Sequence, residues 1–85
     1  MKFRSKPVVI EAIQFLGGFS IDEMRVEWGE PFARTALYND KMNDLLIATL
    51  EGAMRADLED WIIKGTRGEF YPCKPDVFQT KYEAA

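Results

Sequence analysis

The chain has 85 residues, 47% of them hydrophobic and 13% aromatic, with a formal charge of −3 and a pI near 4.9. That length supports one core spanning residues 1–85 rather than two, and that apolar content is globular rather than disordered. The acidic balance argues against general nucleic-acid binding and against an anionic membrane surface, and no run approaches the roughly 18 apolar residues of a membrane span.

The basic start Met-Lys-Phe-Arg-Ser-Lys leads only into a short apolar run interrupted by Glu11, which does not read as a secretion signal. Cys73 is the only cysteine, so no intramolecular disulfide forms, and a reducing, cytoplasmic setting is expected. A domain this small is marginally stable alone, so burial through homo-oligomer formation is a reasonable expectation.

Residues 7–15, Pro-Val-Val-Ile-Glu-Ala-Ile-Gln-Phe, are rich in β-branched side chains and too short for a typical helix. They read as a strand apolar on both faces and therefore central in its sheet. Val9, Glu11, Ile13 and Phe15 share one face, and Val8, Ile10 and Ala12 the other. If the strand extends backward, Lys2, Arg4 and Lys6 line a single face. Gly17-Gly18 breaks it, and a helix over Ser20–Trp28 follows, with Ser20 as N-cap, Glu23 as capping-box partner and Phe19 with Met24 as staple. Asp22 and Glu23 suit the positive end of its dipole, while Ile21, Met24 and Trp28 form its apolar stripe. Gly29 and Pro31 end it.

The next segment admits a short strand around Thr35–Tyr38, then an exposed turn at Asn39-Asp40-Lys41-Met42-Asn43-Asp44. Residues 45–52 read as a second buried strand ended by Gly52, and residues 53–60 as a solvated crossing to Trp61. Residues 61–71 form a hairpin whose Gly65-Thr66-Arg67-Gly68 turn uses Gly68 in the left-handed region, with Lys64 and Glu69 close across it. Pro72 and Pro75 prevent a long strand, Pro75–Gln79 suits one helical turn, and residues 80–84 return as an edge strand. The expected class is α+β: a small bent or barrel-like antiparallel sheet with one short helix early and a one-turn helix near the end.

There is no histidine, which removes the commonest general base, the Ser-His and Cys-His nucleophile pairs and the usual metal ligand. One cysteine is too few for a zinc site, and Gly-Thr-Arg-Gly lacks the length and the Lys-Ser/Thr ending of a phosphate loop. No cofactor or metal is expected. Glu11, on a largely apolar strand face, is paired with a lysine or arginine, faces solvent at a strand edge, or contacts a ligand. A lysine beside Cys73 would lower the thiol pKa, but without a base its ordinary reading is a small half-buried side chain. Trp61, Lys64, Arg67, Phe70, Tyr71 and Lys74 bring aromatic faces near cations, the combination that grips a nucleotide or forms a protein hot spot. Most of those rings would serve the core by default.

Lys6-Pro7-Val8-Val9-Ile10-Glu11-Ala12 near the start, Leu50-Glu51-Gly52, and the long close from Asp60-Trp61-Ile62-Ile63-Lys64-Gly65 through Tyr71-Pro72-Cys73-Lys74-Pro75-Asp76 resemble a group of small proteins encoded by tailed bacteriophages and prophages. The likeness covers roughly the first 15 and last 35 residues, while residues 30–45 add nothing to it. Where similar proteins tend to have Pro-Gly-Asp, this chain has Leu58-Glu59-Asp60, so its turn before Trp61 departs from the pattern. The resemblance implies a phage source and no particular reaction or catalytic residue. The expectation is a non-enzymatic module acting in the bacterial cytoplasm on a host protein or small signalling molecule, including those of antiviral defence. A self-associating virion or assembly component is the alternative. A carboxylate-dependent enzyme is a weaker one, requiring Glu11, Glu51 or Glu69 to line one pocket.

Overall fold

A computed structural model describes residues 9–83. The strands and helices are β1 (Glu11–Gln14), α1 (Gly18–Trp28), α2 (Glu30–Ala33), β2 (Ala36–Asn39), β3 (Asp44–Thr49), β4 (Gly52–Ala56), β5 (Trp61–Lys64), β6 (Phe70–Cys73) and α3 (Pro75–Lys81). The α+β class holds, with the antiparallel strands divided into two three-stranded sheets, ordered β1-β5-β6 and β2-β3-β4.

β1 is shorter than the expected strand and lies at an edge, not the centre. Residues 7 and 8 of that expectation, with Lys2, Arg4 and Lys6, fall outside the described residues. The central position belongs to β5, whose Ile62 and Ile63 are both fully buried, so its continuous apolar character is what two covered faces demand. The faces divide by alternation. Ile13, Ile62 and Phe70 lie toward the main core, whereas Ile63 is buried outside that cluster.

The core is built from Phe15, Ile21, Met24, Trp28, Phe32, Leu45, Ile47, Ala56, Ile62 and Phe70. Trp28, Phe32 and Phe70 contact one another with ring centroids 5.2–5.6 Å apart. They therefore tie the two helices to β6, each buried ring contributing about 2–3 kcal/mol of transfer free energy. The α1 stripe of Ile21, Met24 and Trp28 is buried as its spacing requires.

The start of α1 differs from expectation. Gly17, at φ 108, is the N-cap, and the Ser20 hydroxyl sits inside the first turn, donating to the Gly17 carbonyl (2.6 Å) and accepting from the Leu16 N–H (2.9 Å). Only glycine reaches that φ cheaply, so the chain enters the helix two residues early and Ser20 braces the entry from within. Phe19 is thereby left 68% exposed instead of stapled, and Asp22 and Glu23 fall beyond the first turn. Gly29 closes α1 at φ 64, donating to the Arg25 carbonyl.

The crossing before Trp61 is not loop throughout. Gly52 does not end the second strand but opens β4, which pairs with β3 across a Leu50-Glu51 turn. The Thr49 hydroxyl stabilises that turn by donating to the Gly52 carbonyl (2.6 Å) and accepting from the Glu51 N–H (3.2 Å). β4 escapes a pattern search because only Ala56 in it is buried. The β5–β6 hairpin matches its expected turn, with Gly68 at φ 82. Glu69, however, folds over Gly65, where an added Cβ would meet its carboxylate, while Lys64 pairs with Glu11 across β1 and β5. Finally, α3 continues through Lys81, so residues 80–81 are helical and the expected return strand does not form there; residues 84–85 lie outside the described residues. Pro75 starts this helix, and Phe78 and Tyr82, one turn apart, lie along one side of it beside Trp61.

Candidate functional site

The aromatic and cationic residues of the closing segment separate onto different surfaces. Phe70 is 2% exposed and belongs to the core. Trp61 stands on the opposite face of the sheet, stacked flat on Phe78 at 4.2 Å with a 6° interplanar angle. Arg67 is exposed on the turn between β5 and β6. Lys64 lies opposite Glu11 in the β1–β5 register, their charged atoms 3.6 Å apart. The alternation of the strands explains the division: neighbours in sequence point to opposite sides of a sheet, so adjacent aromatics cannot share one site.

Lys74 is engaged within the chain. Its ammonium donates to Asp57 Oδ2 (2.8 Å) and Asp60 Oδ2 (3.1 Å). Asp60, expected in a solvated loop, is 2% exposed, and its Oδ2 also accepts the Asp57 N–H at 2.9 Å. The Lys74 hydrogen bond and charge hold the Asp57 carboxyl below its ordinary value, and bonding to the two aspartates raises Lys74. This clamp ties the loop before β5 to the residue after β6. Both members that matter, Asp60 and Lys74, lie in the long closing motif, which is the signal by which sequence reasoning could have paired them.

The same loop makes a tight turn, with the Asp60 N–H donating to the Asp57 carbonyl at 3.0 Å and Glu59 at φ 79. Of its two central residues only Glu59 has positive φ, the pattern of a type II turn, in which proline then glycine are favoured. Glutamate thus stands at the turn position that glycine favours. The turn's second half is pinned to the residue after β1 by reciprocal bonds, Phe15 N–H to the Asp60 carbonyl and Glu59 N–H to the Phe15 carbonyl, both 2.8 Å.

Cys73 is half-buried, and burial raises its pKa more than the Lys81 charge lowers it. This is the small half-buried side chain that the sequence leads one to expect, and the Lys74 ammonium beside it in sequence is directed to the aspartates. Tyr71 is pushed up to about 12, first by burial and then by interaction with the Tyr82 hydroxyl. Neither group is poised as a nucleophile or base near neutral pH.

One surface open to a ligand is a cleft near 320 Å³ between the β3–β4 hairpin and β6, lined by Leu50, Glu51, Met54, Glu69, Tyr71 and Pro72 among others. Its lining is mostly apolar, with the exposed Leu50 and part-exposed Met54 on one side and Tyr71 with Pro72 on the other. Glu51 and Glu69 are the acidic residues of its lining, while Glu11 lies elsewhere. The cleft depends on β4, where the sequence pattern predicts only a crossing segment. Among the described residues no acidic or thiol cluster has the geometry of a metal site, and no helix is long and apolar enough to cross a membrane. No family model, curated protein or solved structure matches this chain.

Proposed function

We propose that the chain is a non-enzymatic binding module, supplied by a tailed phage or prophage inside its bacterial host and acting on a host protein or small signalling molecule, antiviral defence included. The observation that carries this reading is the cleft between the β3–β4 hairpin and β6, whose mostly apolar lining includes the acidic residues Glu51 and Glu69. An apolar wall with a few convergent polar groups is the usual make-up of a small-ligand site. Its charge shifts the expected ligand from an anion toward a group with an apolar body and a cationic or hydrogen-bond-donating end. Lys74, engaged by Asp57 and Asp60, does not contribute an anion contact, and Arg67 is the exposed cation of the neighbouring turn.

Affinity capture from expressing bacteria, with retained proteins and small molecules identified by mass spectrometry, tests it. The species held by the wild type should be lost by Met54→Glu, which places a charge in the apolar wall. Retention of the same species by that variant overturns the cleft assignment. Turnover of a metabolite abolished by Glu51→Gln overturns the non-enzymatic reading.

Self-association in a virion or assembly is supported by a different observation. Leu37, Leu46, Ala48 and Ala53 share the outer face of the β2-β3-β4 sheet, and Leu37 is 70% exposed there. Detecting the chain in purified particles, with a Leu37→Lys variant that fails to associate, favours that reading.

A further inference from the structure

A second groove, near 340 Å³, runs between the edge strand β1 and helix α1, lined by Glu11, Ala12, Ile13, Glu23, Glu27 and Trp28. One wall is, among the described residues, an open sheet edge. Phe15 both donates to the Asp60 carbonyl and accepts from the Glu59 N–H. Antiparallel alternation therefore turns the main-chain groups of Glu11 and Ile13 toward β5 and those of Ala12 and Gln14 outward. Among the described residues these outward groups have no main-chain partner.

The other wall is acidic. Glu23 and Glu27 stand one turn apart on α1, both exposed, and among the described residues neither is in an ion pair. Glu11 faces Lys64 at 3.6 Å, which offsets part of its charge. Between the walls lies Trp28, 5% exposed, whose Nε1–H is the single buried side-chain polar atom without a partner among the described residues. A buried indole N–H normally finds an acceptor. Here it has none, while Trp28 as a residue also contributes to the lining of the groove.

From this arrangement we infer that the β1–α1 groove receives an extended, basic segment of a partner protein, added beside β1 as a further strand of the β1-β5-β6 sheet. The outward groups of Ala12 and Gln14 supply the ladder bonds, as in other cases of strand addition. Lysine or arginine at alternate positions of such a segment recurs every ~6.6 Å, and Glu23 and Glu27 are separated by ~6 Å along their helix, so successive cations meet successive carboxylates. A second copy is a poor occupant, since pairing β1 with β1 brings Glu11 and its acidic neighbours against their own kind. This surface is separate from the cleft described above, so the two assignments stand or fall independently.

The test titrates the isotope-labelled full chain with the peptide acetyl-Lys-Val-Lys-Val-Lys-Val-amide and follows backbone and indole resonances. The Ala12 and Gln14 amides and the Trp28 indole should shift, and the two amides should gain protection from hydrogen exchange. The matching Glu-Val peptide should not bind. Glu23→Lys with Glu27→Lys should weaken the lysine peptide by about tenfold while leaving the unfolding midpoint unchanged, as loss of two exposed ion pairs requires. Methylating alternate peptide amides removes the ladder bonds without altering the protein and should abolish binding. Shifts confined to other surfaces, equal binding of the acidic peptide, or indifference to amide methylation would overturn the inference.

Discussion

The Asp60 clamp offers the clearest test of how burial, rather than distance, sets the worth of a charged contact here. Asp60→Ala removes one acceptor from two donors, the Asp57 N–H at 2.9 Å and the Lys74 ammonium at 3.1 Å. The first is a part-buried bond to an ionised group, which places its loss at about 1.5–3 kcal/mol. The lysine, with 56% of its side chain exposed, adds little because water replaces it. Asp57 is the internal control. Its carboxylate is closer to Lys74, at 2.8 Å, but 64% exposed. Asp57→Ala should therefore cost clearly less than Asp60→Ala despite the shorter contact. Urea unfolding followed by the fluorescence of Trp28 and Trp61 measures both variants. For a domain of this size the Asp60 loss corresponds to roughly 6–24 °C in melting temperature. If Asp57→Ala proves as costly as Asp60→Ala, the reasoning from burial fails.

Glu59→Gly should raise stability by about 0.5–1 kcal/mol in the same urea assay, because glycine accepts the positive φ that glutamate strains to hold. At alkaline pH, Tyr71 contributes stability that is complete below its unfolded value of 10.0 and lost as pH rises through about 12, so the unfolding midpoint should fall across that window and fall less in Tyr71→Phe. At the acid end, the lowered Asp57 contributes stability present above 3.8 and lost as pH falls below it, a loss that Lys74→Gln should reduce. Phe70→Ala should cost about 3–5 kcal/mol, whereas Arg67→Ala should stay within about 0.5 kcal/mol by calorimetry, separating the core ring from the exposed cation of the same hairpin.

Much of the architecture was legible in the chain itself, because it rests on local rules. Helical spacing identified Ile21, Met24 and Trp28 as one buried stripe, glycine at position 68 supplied the left-handed turn, and Pro75 opened the last helix. These features depend on neighbours three or four residues away, or on the φ range of a single residue. The failures share a different cause. Ser20 resembled a cap, but Gly17 set where the helix begins. β4 carried no apolar alternation, since its place is determined by pairing with β3. Asp60 resembled loop surface until the fold brought Lys74 to it across fourteen residues of sequence.

The candidate surfaces were harder to foresee than the elements. The closing segment displayed its aromatics and cations side by side, yet strand alternation sent Phe70 inward and Trp61 to the opposite face, beneath Phe78. From its own residues the chain determined that chemistry by imidazole or by a metal–thiolate cluster was closed to it, and that its reactive groups would be mainly carboxylates. Only the tertiary structure decided which carboxylates are spent on structure and which face open grooves. That choice depends on which strands become edges and which loops close over one another, and long-range packing, not local sequence, sets both.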